Sequence, residues 1–183
     1  MKKILVLSML AIFCSTISLA QETTSKEVVP TLEKKHEVRL GAIKLLSGSI
    51  VEGVYEYVQN SNTGFGAALL INLNPDNEYL EDYSITPFYR MYFQTKEDYG
   101  AKGFFVEGFT SFFGGKNYNN FEFNNNQKDE DFFDISVGLG LGKKWINSSG
   151  FVFEAKFGGG RNLLNGSELD FILKGDLYIG YRF

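Results

Sequence analysis

The sequence predicts an all-β fold, an eight-stranded antiparallel up-and-down transmembrane β-barrel, on three observations. Eight segments of roughly ten residues alternate apolar and polar side chains, the period of a strand and not of a helix. Over the second to eighth segments one face is nearly free of charge, while the other carries seven acids and five bases. The connections between segments are alternately longer and shorter.

Composition bounds the reading. The 183 residues are 44% apolar and 22% charged, with a mean hydropathy of -0.13 and a pI near 5.1. A helical membrane bundle, which repeats apolar runs of about 20 residues, is excluded. Eighteen Phe, ten Tyr and twenty Gly against three Pro argue against disorder and for strands.

The chain opens with Lys2 and Lys3, followed by an uncharged run from Ile4 to Ala20 that ends Ser18-Leu19-Ala20. Residues 1–20 read as a signal peptide cut after Ala20, too short and too small-ended for a transmembrane anchor. Cys14 follows the bulky Phe13 within the apolar run, so lipidation is discounted. Cleavage removes two Lys and the one Cys, leaving 16 bases against 22 acids. That charge argues against nucleic-acid binding, and no disulfide or thiol chemistry remains. Residues 21–35, polar and holding Pro30, are expected to form a flexible periplasmic tail, and 36–183 the barrel domain.

In chain order the predicted strands are 37–46, 50–59, 65–73, 83–94, 102–113, 132–146, 151–161 and 169–183. The first opens just after His36. The second sets Glu52 and Glu56 on its polar face. The third aligns Phe65, Ala67, Leu69, Ile71 and Leu73 against Gly66, Ala68, Leu70 and Asn72. The fourth contains Pro87, which a closed barrel cannot hide at an edge, so a bulge or a lapsed ladder bond is expected there with the ring toward lipid. The fifth carries Glu107. The sixth sets Phe133, Ile135, Val137, Leu139 and Leu141 against Asp134, Ser136, Gly138, Gly140 and Gly142. The seventh holds Gly158-Gly159-Gly160, a run suited to curvature or close packing. The eighth sets Leu169, Phe171, Leu173, Leu177, Ile179, Tyr181 and Phe183 against Asp170, Lys174, Asp176 and Arg182. No helix is expected after residue 36.

The two faces decide the solvent. A soluble lipocalin-like barrel turns charge outward and rarely needs strands of twelve to fifteen residues; a membrane barrel inverts the pattern. The apolar face holds one charge within its strand bodies, Lys143 beside Trp145, and a second, Arg161, at the other end of a strand. Both stems are long enough to snorkel. The connections after the second, fourth and sixth segments are short, as periplasmic turns are, and most of the others are longer. Aromatics on the apolar face gather near the short turns, where Tyr57, Phe93, Trp145 and Phe151 are expected as interface anchors.

The final residues, Leu177-Tyr178-Ile179-Gly180-Tyr181-Arg182-Phe183, resemble the terminal strand that outer-membrane barrels present to their assembly machinery. The resemblance implies that Tyr181 and Phe183 are recognised during insertion. The architecture resembles the OmpA transmembrane domain and OmpX. Ile85 to Phe93, Gly103 to Gly108, Gly140 to Trp145 and Gly180 to Phe183 also look like a Bacteroidota barrel family known as domain of unknown function 3575. That resemblance spans roughly 36–183. It implies fold and a bacterial outer-membrane location, and brings no activity or catalytic residues.

An eight-stranded barrel is just wide enough for side chains to fill it. Glu52, Glu56, Arg90, Glu107, Lys156, Lys174 and Asp176 are therefore expected to form one lumen network, with Arg90 at its centre. An ion-paired closed lumen outweighs a proton relay or a narrow porin-like channel. A lipid-modifying barrel enzyme would need a triad that the one His, His36 on the periplasmic side, cannot supply. No enzyme activity, cofactor or metal is expected. The connection 114–131 holds six Asn and a run of acids without the spacing of a calcium loop. Its Tyr118, Phe121 and Phe123 suggest contact with an extracellular protein, a glycan or lipopolysaccharide. The role expected is structural or adhesive, with outer-membrane lipid and the assembly machinery as partners.

Overall fold

The computed structural model describes residues 34–74, 79–93, 100–117, 130–164, 166–167 and 169–183. Residues 1–20, expected as a signal peptide, nearly all of the expected 21–35 tail, and Tyr118, Phe121 and Phe123 lie outside the described residues.

Eight strands form: β1 (His36–Gly41), β2 (Ile50–Val58), β3 (Thr63–Asn72), β4 (Tyr83–Phe93), β5 (Gly103–Asn117), β6 (Glu130–Ile146), β7 (Phe151–Asn162) and β8 (Phe171–Arg182). Each pairs antiparallel with the next. The β1–β8 seam, running from Glu37 opposite Arg182 to Gly41 opposite Tyr178, closes the barrel. Closure leaves no edge strand, so every strand backbone has a neighbour on both sides.

Alternation sorts the side chains. Leu139, Phe157 and Leu173 stand 68%, 67% and 69% exposed on the outside, while Glu56, Arg90 and Lys144 are 0%, 0% and 1% exposed within. An apolar exterior around a charged interior is the inversion expected of a barrel in lipid.

Two features correct the sequence expectations, and a third meets one of two alternatives expected. The first strand ends at Gly41, and Ile43–Gly48 forms a short helix, α1, in place of further strand and of a helix-free chain. A Cβ at Gly41 would stand 2.6 Å from Asp176 Oδ2, so the chain passes close beneath that carboxylate. Asp176 then accepts the N–H groups of Ile43 at 2.7 Å and Lys44 at 3.2 Å, satisfying donors that the first turn leaves free. Lys44, Leu45 and Leu46 are good helix formers, and Ser49, at φ 58°, ends the helix. The second correction concerns β5 and β6. They run in unbroken register from Gly103 opposite Lys144 to Asn117 opposite Glu130, so the connection expected over 114–131 is largely strand at its two ends.

The third concerns Pro87. Register is the same on either side of it, with Ile85 opposite Phe112 and Phe88 opposite Phe109, so there is no bulge. Pairing to β5 lapses at Thr86 and Pro87, as a residue without N–H requires. The Thr86 and Ser111 hydroxyls bridge the lapse inside at 2.9 Å, and the ring faces out beside Ile85 and Tyr89. Pairing to β3 persists, with Ala67 opposite Pro87.

The inward face of β6 is cleared by glycine so that rings from β5 fit. A Cβ at Gly138 would lie 2.5 Å from Phe109 Cζ, and one at Gly142 2.4 Å from Phe105 Cζ.

Candidate functional site

The lumen is filled in layers. At the end that holds the described termini, Val58, Tyr92, Ala101 and Phe105 make an apolar plug. Gly100 and Ala101, just ahead of β5, tuck beneath the barrel there, with Ala101 fully buried. Arg182, on β8, fastens it by donating to Gly100 O at 2.7 Å and Ala101 O at 2.9 Å, while also pairing with Glu37 at 2.8 Å.

Above the plug lies a network of buried charge. Glu56, on β2, takes Arg39 at 2.7 Å, Lys144 at 2.8 Å and Arg90 at 3.0 Å on one carboxylate oxygen. Its other oxygen accepts the Tyr92 hydroxyl. Arg90 spreads its fork over Glu107 at 2.5 Å and Glu154 at 2.8 Å as well. Its guanidinium is stacked between Phe88 and Phe105, with centroids 4.5 and 4.3 Å away. Lys156 completes Glu107 at 3.1 Å, and Lys144 reaches Glu37 at 2.8 Å. Four carboxylates (Glu37, Glu56, Glu107 and Glu154) thus face five cations (Arg39, Arg90, Lys144, Lys156 and Arg182). Burying such charges is tolerable only because each is paired and hydrogen-bonded.

A second apolar layer follows, made of Val54, Ala68, Phe88, Phe109 and Tyr178. Beyond it sits a smaller polar cluster built partly from connections. Lys44 of α1 pairs with Glu52, and Glu81, from the chain between β3 and β4, pairs with Lys174. Tyr178 donates to Glu52 at 2.9 Å. Phe113, Phe132 and Ile172, with Leu80 packed on them, close the far mouth. Nearby, Asp134 accepts the N–H groups of Leu164, Gly166 and Ser167 at 3.0 to 3.1 Å, which folds the β7–β8 connection against β6.

Set against the sequence expectations, Glu56, Arg90, Glu107 and Lys156 come together. Lys174, Asp176 and Glu52 do not join them. They belong to the outer cluster, where Asp176 holds the α1 amides. Asp170 is exposed, not in the lumen. Sequence reasoning left Lys144, Glu154 and Arg182 on the polar face but outside the expected network, and missed four further participants altogether. Glu37 and Arg39 alternate with Val38 and Leu40, which was a usable signal. Lys44 and Glu81 lie in connections, where no period marks a face.

The residues expected as interface anchors stand on the outward face. Phe93, Trp145 and Phe151 are exposed, and Tyr57 is half-buried against Phe65 and His36. His36 also stacks on Phe183 and bonds Tyr55 through Nδ1 at 2.8 Å. Tyr181 lies under Lys34, and Lys143 lies over Phe104 and Trp145.

Only one grouping among the described residues has metal-like spacing. Oxygens of Glu37, Glu56 and Glu154 lie within 4.8 Å of one another. Those carboxylates already receive Arg39, Arg90 and Lys144. A dication placed among these cations would be repelled, so the grouping is an ion-pair hub. What the arrangement does chemically is pair its charges, with one cation in excess.

No family model and no curated protein matches the chain. The resemblance to the Bacteroidota family therefore gains no support, and what stands is the architecture of a closed eight-stranded barrel. Among solved structures the chain is similar to the N-terminal β-barrel domain of Pseudomonas aeruginosa OprF, with a TM-score of 0.54 and 14% identity over 82% of this chain and 98% of that one. At that identity the likeness is one of fold: a closed barrel of eight antiparallel strands.

Proposed function

We propose that the chain is a small, non-enzymatic outer-membrane barrel with a closed lumen, whose role is structural or one of surface interaction. One observation carries this reading: a lumen of mutually paired charge, capped by apolar plugs at both ends, inside an apolar exterior. Ions gain nothing from entering a core whose charges are already paired, and the plugs leave them no wetted mouth. His36 fits the non-enzymatic reading, since its ring lies outside the lumen among Tyr55, Tyr57 and Phe183 and bonds the Tyr55 hydroxyl. In this reading residues 1–20 direct export and Tyr181 and Phe183 present the final strand to the assembly machinery. Outer-membrane lipid and lipopolysaccharide surround the barrel, and the 114–131 connection offers Tyr118, Phe121 and Phe123 to an extracellular protein or glycan.

The test has two parts. Refolded chain in detergent should migrate faster on a gel unheated than boiled, because a closed barrel resists SDS. In planar bilayers it should give no conductance steps. Solubility without detergent and no mobility shift would refute the membrane reading. Regular steps from a heat-modifiable barrel would refute the closed lumen in favour of a narrow channel.

A further inference from the structure

Among the described residues, the outward side chains at the end bearing the termini that carry charge are lysines. Lys143 projects from β6 with its ammonium 4.7 Å from the Phe104 centroid and 5.2 Å from that of Trp145. Lys34 lies 5.3 Å over Tyr181, and Lys35 beside it is exposed. Neither Lys143 nor Lys34 has a carboxylate within 4.0 Å among the described residues. The side-chain carboxylates of the adjoining strands, Glu37, Glu56, Glu107 and Glu154, all point into the lumen and are buried. Among the described residues, Lys143 and Lys34 therefore face outward without a side-chain carboxylate beside them, while the acids of the adjoining strands are paired inside.

Shape accompanies charge at Lys143. Its cross-strand neighbours are Phe104 on β5 and Ala155 on β7. Ala155 stands on the outward face between Phe153 and Phe157, which are 36% and 67% exposed. The small residue opens a notch, walled by rings, with the ammonium at its side. Trp145 leans on Phe153, 5.4 Å between centroids, and forms the wall nearest the turn. Cation–π contacts hold the ammonium at a fixed place on the surface instead of letting it sweep.

We propose that this notch binds the phosphate headgroup of an anionic phospholipid in the leaflet that surrounds the terminus-bearing end. The inference rests on the outer-membrane reading above. It goes further by assigning a lipid class and a leaflet. A phosphodiester fits because it meets the ammonium as a compact anion while its acyl chain lies in the ring-walled notch. The commitment is to glycerophospholipid and not to lipid A, because the rim with the short turns and the termini is the periplasmic one in a barrel of this kind. Near a negative lipid surface each lysine raises affinity about fivefold.

The experiment uses the full chain refolded in bicelles of equal phosphatidylcholine and phosphatidylglycerol, with retained lipids counted by native mass spectrometry. Wild type should retain phosphatidylglycerol in several-fold preference. Lys143→Gln should lower the ratio about fivefold, Lys143→Arg should keep it, and Lys116→Gln at the far end of β5 should leave it unchanged. Equal retention by wild type, or a ratio indifferent to Lys143→Gln, would overturn the proposal. So would lipid A displacing phosphatidylglycerol from wild type but not from Lys143→Gln. The gel shift on heating is read on the same samples. A shift without lipid preference refutes the lipid site alone, and no shift refutes the barrel and the site together.

Discussion

Glu56→Gln is the sharpest probe of the buried network. The carboxylate is fully buried and one of its oxygens serves Arg39, Lys144 and Arg90 at 2.7, 2.8 and 3.0 Å. Glutamine keeps the volume and an acceptor for the Tyr92 hydroxyl, but then turns an NH2 donor toward the three cations, so the charge and their shared acceptor are lost together. Five cations would then face three carboxylates instead of four. Removing one partner of a buried ion pair costs about 3–5 kcal/mol. With an m-value of about 2 kcal/mol/M, the urea midpoint should fall by about 2 M. The assay is reversible urea unfolding in lipid vesicles, followed by tryptophan fluorescence of Trp145. Adding Lys144→Met returns the hub to one excess cation and should restore about 2 kcal/mol relative to additivity. A loss below about 1 kcal/mol for the single variant, or strict additivity in the double, would show that the pairs are solvated and the lumen is wet.

Three further outcomes follow from local geometry. Gly142→Ala sets a Cβ 2.4 Å from Phe105 Cζ and 2.7 Å from Ala155 O, so it should cost about 1–3 kcal/mol in the same urea assay. Asp134→Ala removes the acceptor shared by the amides of Leu164, Gly166 and Ser167, and hydrogen exchange at those amides should quicken about tenfold while β6 and β7 keep their protection. Tyr79, in the chain between β3 and β4, has its phenol pushed above the ordinary value of 10.0 by burial and by the nearby Glu81. The folded state thus holds that proton more tightly than the unfolded chain does. The stability it adds is present below pH 10 and is lost as pH climbs above it. A difference titration of wild type against Tyr79→Phe at 295 nm should show the lost phenol ionising above the ordinary range, and ionisation at the ordinary value would contradict its burial.

The face of each strand residue was legible, and its height was not. Period-2 alternation put Lys156 and Asp176 on the inside, and the ladder sets them opposite one another. Yet Lys156 reaches toward the terminus-bearing end to Glu107, while Asp176 turns to the amides of α1. Alternation specifies an angle about the strand, and side-chain reach and strand tilt then decide which layer a charge joins. Partners supplied by connections were hidden for another reason. Glu81 and Lys44 enter the lumen only because their segments fold inward, which is a property of tertiary packing. The first strand shows the limit of the pattern itself. Glu37, Val38, Arg39 and Leu40 alternate, but Ile43 to Leu46 blur into an apolar run that serves strand or helix equally.

Charge in the lumen also fixes register. An eight-stranded barrel filled only with aliphatic side chains would present similar surfaces on both faces, and a one-residue slip of a strand would cost little. Here such a slip in β4 would carry Arg90 into the position of Tyr89 or Met91 on the outward face. At mid-bilayer an arginine facing lipid costs about 2–4 kcal/mol, and its abandoned partners Glu56, Glu107 and Glu154 would lose a cation. A slip in β2 would expose Glu52 and Glu56 together and turn Tyr55 and Tyr57 into the lumen. Each strand therefore carries its own penalty for misalignment, counted on both faces at once. Pro87 fits the same logic, since one lapsed ladder contact is tolerable where Phe88 and Arg90 on one side and Ser84 on the other hold β4 in place. Specifying one register out of several is a use for buried ion pairs that does not require them to add net stability.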